Sequence, residues 1–161
     1  MVCSSLKIER TRNMELVKQL WGDPRIYSQM CDDGCPENSI DWQPADSDRR
    51  YFLVPSLEQA QNKILLGIVA YYAISFVMYE IHIGILPEFQ HQITPEIVFF
   101  ANDWLFKHTE CQKIIGYIPV IKQNVRKLAL KCGFKDEGYI QNSFLFKGTL
   151  IDQYVMTIGR N

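Results

Sequence analysis

A chain of 161 residues with a formal net charge of −1 and 22% charged residues is long enough to bury a core of its own, and it reads as a single domain over 1–161. That charge balance makes no electrostatic case for a nucleic-acid or membrane-surface partner. The start of the chain has no basic leader followed by an apolar run, so secretion is not expected. The longest uncharged stretch, Ile64 to Tyr79, falls short of the roughly 20 apolar residues of a membrane span and suits two buried strands better. Five cysteines at irregular spacing, without a secretory signal, point to free thiols in a reducing compartment. Cys31 and Cys35 have the spacing of half a metal site, but no second Cys or Cys/His pair stands at zinc-finger spacing, so no metal is expected.

In chain order, Leu6 to Glu9 reads as a short strand. Met14 to Trp21 carries Leu16, Val17, Leu20 and Trp21 on one helical face, with Asn13 as N-cap. Asp23-Pro24 should end or kink that helix, with a further turn over Ile26 to Met30. A polar, Asp-rich loop runs from Asp32 to Arg49; its length marks it as a binding surface or a lid over the sheet, and Trp42 within it needs a surface to cover it. Three strands follow, Tyr51 to Pro55, Ile64 to Ala73 and Ser75 to Leu86. Pro95 to Phe106 has Ile97, Val98, Ala101, Trp104 and Leu105 at helical spacing, with Pro95 in the first turn and Thr94 as the expected cap. Ile114 to Ile118 reads as a buried strand, and Gln123 to Lys131 as a helix stopped by Gly133. Gly138 to Phe146 and Leu150 to Ile158 flank the hairpin turn Lys147-Gly148.

The most informative segment is Tyr79 to Glu88. Ile81, Ile83 and Ile85 alternate with Glu80, His82 and Gly84, the period of a half-buried strand whose second face carries two titratable groups. Behind it come the strand at Ile114, a helix closing on Cys132-Gly133-Phe134, then Glu137-Gly138 and a hairpin with Asp152. From about Leu16 onward, this order of parts resembles the Gcn5-related N-acetyltransferase fold. It is most similar to small phage-encoded proteins of that fold, which share the early run Asp23-Pro24-Arg25-Ile26-Tyr27 and Asp32-Asp33-Gly34. The resemblance implies an α/β (α+β) architecture: a mixed, mostly antiparallel sheet flanked by helices, with the strand ending at Leu86 and the one ending near Pro119 splayed around acetyl-CoA.

It also implies site residues. Acyl transfer from a thioester to an amine needs a proton acceptor, an oxyanion donor and an acid for the thiolate. Glu80 takes the position of the family's base, with His82 on the same face, so both are candidate catalytic residues. Phe89 to Pro95 matches the turn that holds the cofactor's pyrophosphate in the family, which makes Gln90, His91, Gln92, Ile93 and Thr94 candidate contacts beside Leu86 at the strand's end, but neither of the family's two glycines is present. Counting back from Gly133, the family's cofactor-binding Asn falls on Lys122, with Asn124 displaced by two positions, and the family's acid tyrosine falls on Ala129. Lys122 and Asn124 complete the set of candidate cofactor contacts.

On these departures the phage resemblance implies a virion or head-assembly component with a degenerate acetyl-CoA site and weak or no catalysis. A phage or host protein would then be its partner, and the host bacterial cytoplasm or the virion its location. The alternative is an active acetyl-CoA-dependent N-acetyltransferase with Glu80 as general base.

Overall fold

The computed structural model describes residues 5–59 and 61–161; Cys3, one of the five cysteines, lies outside them. Eight strands form one sheet: β1 (Ser5–Thr11), β2 (Arg50–Gln59), β3 (Asn62–Leu65), β4 (Gly67–Ala73), β5 (Met78–Ile85), β6 (Lys113–Pro119), β7 (Lys135–Phe146) and β8 (Thr149–Gly159). Their order is β1-β2-β4-β5-β6-β8-β7, with β3 paired to β2 beside that path. Every pairing is antiparallel except β5 with β6. The expected mixed, mostly antiparallel sheet flanked by helices is the architecture found.

Helices α1 (Met14–Trp21) and α2 (Pro24–Met30) cover one face of the sheet, where Val17, Leu20, Trp21 and Tyr27 pack on Phe52, Val54, Ile68 and Ala70. Helix α3 (Thr94–His108) covers the other, where Ile97, Val98, Ala101 and Leu105 meet Leu53, Val69, Ile85 and Ile114. Helix α4 (Gln123–Lys131) joins that second core through Val125 and Ala129 and has no fully buried residue. The buried Tyr71 hydroxyl donates to Asn102 Oδ1 on α3 over 2.6 Å, so the one polar side chain α3 sends into this core from its middle turns has a partner. No helix among the described residues is long and apolar enough to cross a membrane.

Several boundaries differ from expectation. Asn13 does cap α1, its side chain accepting from the N–H groups of Glu15 and Leu16. Asp23-Pro24, however, begins α2 instead of merely ending α1: Gly22 closes α1, Asp23 Oδ1 accepts from Arg25 N–H over 2.9 Å, and Pro24 sits in the first turn, where a missing N–H costs nothing. The expected strand Ile64 to Ala73 is two strands. Gly67, at φ +149°, lets the chain leave β3 and pass so close to β5 that a Cβ there would lie 2.1 Å from the Gly84 carbonyl oxygen. Ser75 to Val77 forms the turn before β5, and Leu86 lies just past its end. Thr94 is not the cap of α3; it is helical, and its hydroxyl donates to the Gln90 carbonyl oxygen. The turn at Lys147-Gly148 has positive φ at both residues, 50° and 73°, as a tight hairpin requires.

Candidate active site

Strands β5 and β6 run side by side only at their beginnings: Met78, Tyr79 and Glu80 pair with Lys113, Ile114 and Ile115, and nothing beyond. Yet β5 stays paired to β4 as far as Ile85, and β6 stays paired to β8 as far as Pro119. Each strand is therefore held by its outer neighbour while the inner edges part. The result is a wedge opening at the carboxyl ends of two parallel strands, where open α/β sheets bind their ligands.

Glu80 stands where the wedge begins. Its Oε1 lies 3.2 Å from His82 Nε2, and both side chains are nearly three-quarters buried. The pair is close but misaligned for a hydrogen bond, which leaves the buried Nε2 without a hydrogen-bond partner among the described residues. The His82 ring packs against Tyr72 at 4.9 Å between centroids and Trp21 at 6.1 Å. Aromatic walls on two sides fix the imidazole beside the carboxylate. Gly84, the next residue on this face, has no side chain because α2 lies on it: a Cβ would come within 2.3 Å of Ile26 Cγ2 and 2.7 Å of Met30 Sδ. That contact brings α2 down over the wedge.

Trp42 answers the question set by the long loop. It stacks on Trp21 with centroids 5.2 Å apart and an interplanar angle of 11°, so its covering surface is its own chain. Arg12 binds Asp46 at 3.3 Å and Asp48 at 2.8 Å, and the Tyr27 hydroxyl donates to the Pro36 carbonyl at 2.7 Å. The start of this loop also grips the β7–β8 hairpin, since the Asp33 carboxylate accepts from the N–H groups of Lys147 and Gly148 at 2.8 and 2.7 Å. Internal contacts order the loop as a lid over the face bearing Glu80 and His82.

The turn after β5 carries the remaining candidates. Pro87–Phe89 is one turn of 3₁₀-helix. The N–H groups of His91, Gln92 and Ile93 have no acceptor in hydrogen-bond geometry among the described residues, and no side chain caps α3. Without its glycines the turn thus still leaves donors for an anion at a helix start, which fits a pyrophosphate. Pro95 removes one further donor. His91 and Gln92 are exposed and Thr94 is buried. Across the wedge, Asn124 is exposed, while the Lys122 ammonium reaches back to the Gln29 carbonyl at the end of α2. Burial lowers the pKa of Lys122 from its ordinary value. Gln90 donates to the Ile85 carbonyl over 2.9 Å and to Gln29 Oε1 over 2.8 Å. Glu80 and His82 thus pair beside Tyr72 and Trp21, while Gln90 and Lys122 meet at Gln29 from the two sides of the wedge. Among the hollows on the surface, one of about 260 Å³ beside Phe99 and Arg160 and one of about 330 Å³ beside Glu15 and Ile40 are lined by none of these residues.

Four residues of the site escape a reading of the sequence: Trp21, Tyr72, Asp33 and Gln29. Trp21 and Tyr72 look like ordinary packing, and the run Asp32-Asp33-Gly34 that holds Asp33 gives no sign of the hairpin it binds. Gln29 leaves a faint trace, because Ile26, Gln29 and Met30 share one helical face and a polar residue interrupts it.

No family model matches the chain, and no curated protein sequence matches it. Solved structures do. Spermidine N-acetyltransferase from Vibrio cholerae, in complex with CoA and spermine, superposes with a TM-score of 0.72 at 22% identity, over 96% of this chain and 95% of that one. A chimera of the Vibrio cholerae enzyme with hSSAT gives 0.74 at 21%, over 96% and 94%, and the enzyme in complex with manganese ions gives 0.70 at 21%, over 96% and 92%. The fold is that of the Gcn5-related N-acetyltransferases. At this identity the likeness is one of fold, and nothing in it ties the chain to a phage particle.

Proposed function

We propose that this protein is an acetyl-CoA-dependent N-acetyltransferase acting on an amine, with Glu80 and His82 managing the amine's proton. The observation that carries the reading is the Glu80–His82 pair, 3.2 Å apart, at the point where β5 and β6 separate. Bound acetyl-CoA would supply an activated acyl group as a thioester. An alkyl ammonium is no nucleophile until it gives up a proton, and a carboxylate beside an imidazole in a largely buried setting is suited to accept one. Glu80 lies 3.2 Å from His82 Nε2, close enough for its charge to act on the ring without a hydrogen bond, and Tyr72 and Trp21 keep the ring from turning away. The N–H groups of His91, Gln92 and Ile93 would take the pyrophosphate, and Gln90 and Lys122 would flank the arm that leads to the thioester. Position 129, a partly buried alanine, offers no acid for the thiolate, so that proton comes from solvent or from His82.

Polyamines are the first acceptors to try, because the structural neighbours are named for spermidine. Isothermal titration with acetyl-CoA, followed by a thiol-release assay over a panel of amines, tests the proposal. Saturable binding with amine-dependent CoA release supports it, and absence of both refutes it. A second reading, a non-catalytic relative, is favoured by the missing acid at Ala129; binding without release on any amine would support that reading instead.

A further inference from the structure

Gln29 is the meeting point of three hydrogen bonds at the mouth of the wedge. Its Oε1 accepts from Gln90 Nε2 over 2.8 Å, its backbone carbonyl accepts from Lys122 Nζ, and its own Nε2 donates to the Arg25 carbonyl one turn back, which fixes the side chain's direction. Gln90 belongs to the turn at the end of β5, and Lys122 to the segment between β6 and α4. The two donors come from opposite lips of the wedge and converge on two oxygens of a single residue. Any ligand lying along the wedge as the reading above requires would pass between them. We propose that Gln29 is a built-in competitor for the acyl-CoA cofactor, its side-chain amide occupying the Gln90 donor and its backbone carbonyl the Lys122 donor until the cofactor displaces them.

The chemistry suits the role. The arm of such a cofactor carries amide oxygens and ends in phosphates, and Gln29 offers those same two donors an amide oxygen and a carbonyl oxygen. Lys122 is well suited to exchange one for the other. Its ammonium is partly desolvated, with no carboxylate bonded to it among the described residues, so a carbonyl is a weak substitute for an anion there. Gln29 itself is exposed on a short helix, so its replacement leaves the packing of Ile26 and Tyr27 intact. A competitor that must be displaced reduces apparent affinity by the fraction of molecules in which it is engaged.

The inference rests on the acetyl-CoA reading, and titration of acetyl-CoA into the full chain separates the two. Gln29→Ala should tighten binding about fivefold, the equivalent of one net hydrogen bond released. Gln29→Glu should weaken it, because a carboxylate would hold Lys122 and repel the phosphates. In a Gln90→Ala background, Gln29→Ala should bring little or no gain, since the one donor its side chain holds is already gone and the backbone carbonyl that holds Lys122 is kept in alanine. Opposite shifts for Ala and Glu, with that coupling to Gln90, support the competitor. If the unaltered protein binds acetyl-CoA and Gln29→Ala binds it no better, the competitor falls and the acetyltransferase reading stands. If Gln29→Ala tightens binding but no amine is acetylated, the competitor stands and the catalytic reading falls. Failure of the unaltered protein and Gln29→Ala alike to bind acetyl-CoA at millimolar concentration overturns both.

Discussion

The two faces of β5 are built from alternate residues of one short strand and do different work. Toward α3 it presents Tyr79 and Ile85, 7% and 4% exposed, within the larger core. Toward α1 and α2 it presents Glu80, His82 and Gly84, two titratable groups and a gap into which a helix fits. The first face is held by buried apolar area, which is insensitive to small changes of angle. The second depends on a separation of 3.2 Å between two polar atoms. A strand with period 2 can serve both ends because fixing one face fixes the other: Tyr79 and Ile85 cannot shift in their core without moving Glu80 and His82.

Substitutions on the two faces should therefore separate rate from stability. Glu80→Gln keeps the shape and removes the charge, and it should lower kcat by about 10²- to 10⁴-fold while leaving acetyl-CoA affinity and the urea midpoint unchanged. Steady-state kinetics beside calorimetry read both. Ile85→Ala, on the other face, should cost about 2–5 kcal/mol of stability, seen as a fall in the urea midpoint, with kcat per folded molecule little changed at low temperature. A loss of rate in Ile85→Ala as deep as that in Glu80→Gln would mean that the faces are not separable.

Much of this division is legible in the chain. The alternation of Ile81, Ile83 and Ile85 with Glu80, His82 and Gly84 announces a strand and its two faces, because the pattern arises from local geometry alone. The neighbouring strand near Ile114 and the splay are implied by the resemblance to the acetyltransferase fold. What stays hidden depends on tertiary contact. The break at Gly67 exists because of the Gly84 carbonyl on another strand, and Thr94 turns from cap to helix because the Gln90 carbonyl is there to receive its hydroxyl. The turn at His91 to Ile93 lacks the glycines of a phosphate turn, and that its N–H groups have no acceptor among the described residues depends on how the backbone turns, which composition does not give. Gln29 is hidden for the same reason: its partners lie 61 and 93 residues further along.

The lid extends the contrast from the strand to the loop above it. Trp42→Ala removes the stack on Trp21 and should cost about 1–2 kcal/mol from the lost aromatic pair and its area. Because Trp21 touches His82, the change should also raise KM for the amine, whereas a comparable loss on the α3 face would not. Chemical denaturation and amine kinetics on the same preparation give the two numbers. An unchanged KM would confine the lid to a structural role.

The smallest effect concerns how α2 is pinned over Gly84. Asp23 caps α2 and meets Arg25 at 2.8 Å, and Arg25 in turn reaches Glu88 at 3.3 Å on the turn beyond β5. The hydrogen bond from the Arg25 guanidinium holds the Asp23 carboxyl below its ordinary pKa, more than partial burial raises it. A carboxyl whose pKa falls on folding adds stability that is complete above its unfolded value, near 4, and is lost as pH drops through the lower folded value. Asp23→Ala should therefore cost about 1 kcal/mol at pH 7, the usual worth of an N-cap. The difference from the unaltered chain should narrow when the urea titration is repeated near pH 3. Asp23→Asn, which keeps a capping oxygen and loses the charge, should fall between the two at pH 7. The Ala gap should persist unchanged at pH 3 only if the cap owes nothing to its charge, in which case Arg25 would not be what secures α2 over the site.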